Sequence, residues 1–509
     1  MPPASDRLST ALLIVAVLSA VGLSLPALQG QPLALDEHVS YFAAAAPDGI
    51  ELARRSLEVM ATPPLSHVLE RFSLSLFGHS ETALRLPSLA AYVAGVGLTF
   101  LFARRLCGPL AGGLAAVLMA WHPDVLHEVR IARCYGLVVA LSAASLWLWA
   151  RWRARPAWAD ALGWAAASVA LLWTHYLAAP LVLTQGLLAL ATAFGSPRTE
   201  RRERLTQCVS VALLVCVLCV PLIASVLRLS EWSEALGFQA QSAEWRDFFP
   251  WPWQVLILTA LPLTAALQLV GVIGGPRVPN AGATRAAACL AFVLWLAPLG
   301  ILALGTQENP TLASPRYRTP MAPASAAAVA GLAAVALRPG AACFVMAVSL
   351  AAGWSAASTP AHRAGRLGDR GDEKWRAAAL IIADDLQRPD VLTFTLTGLA
   401  ESLLVPAIRG DERFDRYVSS RLGAFYTNVE RGIPLPMIWS GGGFLEQKFR
   451  ERLADPGIRE VLIVAAVDTD LNVRSMSEFE RLLASAGYVA DGPLQVGPEA
   501  LVVRYRRRE

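Results

Sequence analysis

The stretch ALLIVAVLSAVGLSLPALQGQPLALDEHVSYF, Ala11–Phe42, joins an apolar run to two carboxylates and an imidazole. Arg7 precedes the run, which is longer than a signal-peptide core and is followed by no clear small-x-small cleavage site. It therefore reads as a retained first membrane helix. Asp36, Glu37 and His38 follow a few residues beyond its end, at a membrane–water boundary. Ionisable groups near a bilayer are costly, so such a cluster points to function.

The rest of the chain repeats this pattern. Of 509 residues, 55% are hydrophobic and 17% charged, and the mean hydropathy is +0.46. A soluble domain carries roughly 25% charged residues. A net charge of +4 is too small to suggest nucleic-acid binding. Apolar runs lie near 8–28, 83–103, 109–122, 134–151, 158–174, 176–195, 205–227, 253–274, 285–304, 319–337 and 341–358. They predict an α-helical polytopic membrane protein with about eleven spans. Arg104-Arg105, RWRARP (151–156), SPRTERRERL (196–205), Arg277, Arg285 and Arg338 fall in one set of loops, read as cytoplasmic. The alternate loops, with DEHVSYF, WHPDVLHEVR, SEWSEALGFQAQSAEWRDFFPWPW and ENPTLASPRYR, then face outward, as does the C-terminus. The seven cysteines all precede residue 344, mostly in apolar runs, and read as small buried hydrophobes.

Two domains follow. Residues 1–360 read as the transmembrane domain, with a long first outer loop at 29–82. In that loop IELARRSLEVM (50–60) reads as an interfacial helix with Ile50, Ala53, Leu57 and Met60 on its apolar face. Residues 361–509 are less apolar and read as a small α/β extracytoplasmic domain. Its predicted strands lie at 391–396, 461–467 and 500–506, and its helices at 372–387 and 477–488.

The ionisable residues cluster on the outward loops: Asp36, Glu37, His38, His67 and Arg85, then Asp124, His127, Glu128, Arg130, Arg133 and Tyr135, then His175, Arg316, Tyr317 and Arg318. An arginine fork suits a phosphate, a carboxylate suits proton removal from an attacking hydroxyl, and imidazoles with carboxylates suit a divalent metal. The set points to transfer between a phosphate-bearing donor and a hydroxyl or amine acceptor. Each residue also has a plainer reading: Arg130 as a snorkelling helix-end residue, Glu37 as a support for its own fold. The competing class is a lipid or glycan transporter or flippase. Transporters bind at the midplane, often between repeats, whereas here the ionisable residues lie at span ends and no repeat is visible.

Four stretches resemble the GT-C membrane glycosyltransferases, in particular the bacterial relatives of protein O-mannosyltransferases and of the aminoarabinose transferase of lipid A. They are the Asp36-Glu37 pair, TPPLSHVLERFSLSLFGHSETALRLPS (62–88), HPDVLHEVRIARCYGL (122–137), and THY (174–176) with PRYRTPMAP (315–323). The resemblance implies an inverting sugar transfer from a polyprenyl-phosphate donor to a lipid, glycan or protein of the cell envelope. The reaction would occur at the outer face of the cytoplasmic (inner) membrane, among membrane lipids. It implies Asp36 as general base, with Glu37 beside it. Arg85, Arg133, Tyr135, His175, Arg316 and Tyr317 would lie around the donor phosphate. The chain departs from the family pattern twice: Thr62 stands at the family's His before Pro-Pro, and Ile131 at an acidic position, with Arg130 before it. A divalent metal, if used, would fall to Glu37, Asp124, His127 or Glu128.

Overall fold

A computed structural model describes residues 4–28, 31–235, 281–307, 312, 314–337, 339–344, 347, 375–396, 424–427, 433–435, 443–466, 470–495 and 500–508. The chain divides into two compact units: Met1–Gln29, Thr62–Ile223 and Ala240–Arg366 in the first, and Gly30–Ala61, Ala224–Gln239 and Leu367–Glu509 in the second. The segment bearing Asp36 is thus built into the same unit as the C-terminal residues.

The first unit is helical. Five described helices are long and apolar enough to cross a membrane, or up to six if the pair broken at Pro221 is one span. A proline there removes a backbone donor and crowds the preceding turn. The apolar runs near 109–122 and 158–174 form shorter helices, Pro109–Ala120 and Trp158–Leu172. The run at 253–274, the aromatic stretch 242–253 and most of 341–358 lie outside the described residues.

The unit is organised around the helix Glu81–Cys107, which packs on Tyr135–Ala154 and Pro109–Ala120. Small residues set the approach, as in membrane bundles generally. A Cβ on Gly136 would lie 1.9 Å from the Ser88 carbonyl oxygen, and one on Gly95 would lie 2.7 Å from a Val139 methyl. The Ser88 hydroxyl donates to the Val129 carbonyl at 3.0 Å, closing the same junction. Buried tryptophans are satisfied within the bundle: Trp152 donates to Gln207 at 2.7 Å and Trp164 to Gln185 at 3.1 Å.

The second unit holds a mixed five-stranded sheet in the order β2-β1-β3-β5-β4. The strands are β1 Val391–Leu396, β2 Ile433–Leu435, β3 Glu460–Ala466, β4 Tyr488–Gln495 and β5 Ala500–Arg507. β1 runs parallel to β2 and β3, and β5 antiparallel to β3 and β4. Side chains alternate across the strands. Phe394, Val461, Ile463, Val503 and Tyr505 share one core with Leu445, Phe449, Phe479 and Leu483 of two covering helices. Leu462, Val464 and Val502 face Ala378 and Ile382 on the other side.

The first core also contains Val39, Phe42, Ala43, Val59, Met60 and Ala61. The helix Leu35–Ala44 and the turn near residue 60 are therefore part of the sheet's own packing. The 50–60 segment is an α-turn, Gly49–Arg54, continued by a π-turn, Arg55–Val59. Its sheltered residues are Leu52, Ser56, Val59 and Met60, whereas Ile50 is 83% exposed. The wider π-turn shifts the helical phase of the residues that follow Arg55.

Gly136→Ala is expected to lower the unfolding temperature of the purified protein, at an overpacking cost of about 1–3 kcal/mol. Gly97→Ala, which meets nothing within 4 Å, is the matched control. Equal unfolding temperatures for the two would show that the Ser88–Gly136 contact is not tight.

Candidate functional site

Three distant stretches of the first unit meet. Helix Pro123–Val129 starts with Pro123 in its first turn, where a missing N–H costs nothing. It ends at Arg130, and an irregular turn carries Arg133 to the start of the next helix at Tyr135. His175 sits between Trp158–Leu172 and the short 3₁₀ turn Tyr176–Ala178, and its Nδ1 accepts from the Leu177 N–H at 3.2 Å. The 3₁₀ segment Pro315–Met321 brings Arg316, Tyr317 and Arg318.

The rings of Tyr135 and His175 lie 5.7 Å apart, and those of His175 and Tyr317 5.9 Å apart. The Arg316 guanidinium stands over Tyr317 at 5.1 Å from the ring centre, a cation–π geometry. Burial pushes the His175 imidazole down to about 3, and the charges of Arg133 and Arg316 push the same way. Arg133, Tyr135, His175, Arg316 and Tyr317 thus form one cationic, aromatic group around a neutral imidazole.

Arg85 is fully buried and donates to the Ala27 carbonyl at 3.1 Å. Arg130 grips the Leu23 carbonyl with Nε at 2.9 Å and Nη2 at 2.6 Å. Both arginines satisfy carbonyls at the end of the first span, which have no intrahelical donors. Arg130 is therefore a buried clamp rather than a snorkelling side chain.

Asp124 pairs with Arg318 at 3.2 Å. With His122, Trp295 and Ser325 they line a small crevice. Burial lowers the His122 imidazole to about 4; Asp124 opposes the shift and Arg318 adds to it. Asp36 and Glu37 stand on the second unit, in the first turn of Leu35–Ala44. Asp36 is half-buried, and the buried Glu37 carboxylate accepts from the Ala34 N–H at 2.8 Å, as a capping glutamate does.

Among the described residues, no three His, Cys, Asp or Glu side chains come together as a metal site. Glu37 caps its own helix, and Asp124 is engaged by Arg318.

A buried pair went unread in the sequence: His67 Nδ1 lies 2.9 Å from Glu70 Oε2. The start of its helix is tied to the His175 turn, the Leu65 N–H donating to the Trp173 carbonyl at 3.2 Å. The i,i+3 spacing of His67 and Glu70 was the available signal.

Fold and site together describe a helical membrane protein with a cationic, aromatic cluster, and known proteins share this architecture. Residues 61–224 match the family model of dolichyl-phosphate-mannose-protein mannosyltransferases, a span that includes the stretches at 62–88, 122–137 and 174–176. ArnT from Cupriavidus metallidurans, solved bound to undecaprenyl phosphate, has the same fold, with a TM-score of 0.55 at 15% identity; the match covers 97% of this chain and 98% of that one. The oligosaccharyltransferase AglB from Archaeoglobus fulgidus, solved with an inhibitory peptide and a dolichol-phosphate, is also similar: TM-score 0.49, 12% identity, covering 95% of this chain and 72% of that one. No curated protein matches the chain.

The two buried imidazoles set a pH dependence. Each has its folded value lowered, to about 4 for His122 and about 3 for His175, from 6.5. The unfolded chain therefore binds more protons between these values and 6.5, and stability falls as pH drops through that window. The unfolding temperature of the detergent-solubilised protein is expected to be flat above pH 6.5 and to decline below it. His122→Gln with His175→Gln should flatten that decline; an unchanged slope would contradict the burial of both as neutral rings.

Proposed function

We propose that the protein is a membrane glycosyltransferase that moves a sugar from a polyprenyl-phosphate donor to a hydroxyl or amine of an envelope lipid, glycan or protein, on the outer face of the cytoplasmic membrane. The observation that carries the reading is the meeting of Arg133, Tyr135, His175, Arg316 and Tyr317 from three separated stretches. The cationic side chains suit the phosphate of a lipid-linked donor, because guanidinium–phosphate contacts are paired and charge-assisted. The neutral imidazole adds a polar contact without competing for the phosphate. The undecaprenyl phosphate bound to the structurally similar ArnT supports a lipid-phosphate donor.

In this reading Arg133 and Arg316 bind the donor phosphate and stabilise the charge that grows on it as the anomeric carbon–oxygen bond breaks. Tyr135, Tyr317 and His175 shape the pocket. Arg85 and Arg130 belong to the scaffold that fixes the end of the first span. Asp36 is the general base: it takes the proton of the acceptor hydroxyl or amine as that atom attacks the anomeric carbon. The polyprenyl phosphate leaves with the bonding electrons, and a single displacement inverts the anomeric centre. Glu37 supports Asp36 by holding the turn.

Arg133→Ala and Arg316→Ala are each expected to weaken binding of undecaprenyl phosphate by about ten-fold or more, the usual scale for losing a hydrogen bond to a charged group. Native mass spectrometry of the purified protein with added undecaprenyl phosphate measures this. Arg228→Ala, a substitution in the second unit, serves as the control. Equal lipid occupancy in all three variants would overturn the assignment of the phosphate site.

A further inference from the structure

The turn that carries Asp36 is held from the far end of the chain. The Leu33 N–H donates to the Tyr426 hydroxyl at 2.8 Å. The next amide, Ala34, donates to Glu37 at 2.8 Å. These two N–H groups precede the helix Leu35–Ala44, where the chain has not yet begun its own hydrogen-bond ladder. Two residues beyond Asp36, the His38 ring meets the Tyr426 ring edge-on, with centres 5.8 Å apart. Tyr426 is fixed in turn: the Arg376 guanidinium lies 5.6 Å from its ring centre, and Phe425 packs edge-on against both Tyr426 and Tyr41, at 5.0 Å each. All of these residues belong to the second unit.

We propose that Tyr426 is a positioning residue for Asp36, an inference that rests on reading Asp36 as the base. Its hydroxyl anchors the backbone three residues before Asp36, and its ring bears on the side chain two residues after it, so both ends of the turn are held by one side chain. The C-terminal residues are thereby part of the catalytic apparatus. They supply the platform on which the base stands, because Val39, Phe42 and Ala43 of the same helix are packed into the core beneath the sheet. A base must be held to a fraction of an ångström, and a displacement of about 1 Å costs on the order of a hundred-fold in rate. Loss of one of two anchors should cost part of that.

The test is Tyr426→Phe, which removes the hydroxyl and keeps the ring. Initial rates of sugar transfer are measured in membrane vesicles by mass spectrometry of the product, with the host's own polyprenyl-phosphate lipid fraction as donor. Rates are normalised to folded enzyme. The expected result is a kcat lower by about ten-fold with the apparent donor KM unchanged, since the phosphate grip is on other residues. An unchanged kcat, or a change confined to KM, overturns the proposal. A second measurement needs no variant: in the wild-type protein the Leu33 amide should exchange with deuterium as slowly as the helix it precedes, and fast exchange would overturn the anchor. Asp36→Asn is run alongside. Full activity there would remove the base reading itself, whereas an inactive Asp36→Asn with a fully active Tyr426→Phe would remove only the positioning role.

Discussion

The structure depends on how positive charge is held at the edge of an apolar bundle. A guanidinium in a poorly solvated place needs acceptors, aromatic faces or an anion. The first unit uses all of these in sequence. Arg85 and Arg130 take the unsatisfied carbonyls of Ala27 and Leu23. Arg318 takes the carboxylate of Asp124. Arg316 lies on the face of Tyr317, and burial, helped by the charges of Arg133 and Arg316, keeps His175 neutral. The first group fixes the helices, and the last leaves a cationic surface suited to a phosphate.

The membrane character and the cationic site were both legible in the sequence, for a shared reason. Apolar runs and charges at their ends are local features, and the five clustered residues each lie at an end of a helix or in a short turn. Arg85 could not be sorted from Arg133 by sequence, because only the fold shows that Ala27 lies beside it. The π-turn at Arg55–Val59 was not legible, because it changes the residue phase without leaving a mark in composition. The His67–Glu70 pair was visible in its spacing, but its importance depends on burial, and burial depends on the neighbouring helices.

The contribution of the C-terminal residues was least legible. Composition separates residues after 360 from those before it, and alternation finds strands there. It does not show that Val39, Phe42 and Met60 share a core with Phe394 and Phe479. Such contacts join parts of the chain separated by hundreds of residues, and no local pattern announces them. Their consequence is local: the turn that carries Asp36 stands on a helix packed into the sheet's core, with its neighbouring amides bonded to Tyr426 and Glu37.

The most direct test of a sugar transfer that depends on Asp36 is mass spectrometry of the envelope glycans, lipids and glycoproteins of the host. Three strains are compared: the parent, a deletion of this protein, and the deletion carrying Asp36→Asn at matched expression. The expected result is one defined sugar mass that is lost in the deletion and not restored by Asp36→Asn. Full restoration by Asp36→Asn would contradict the assigned base and shift the weight of the evidence toward transport or a structural role.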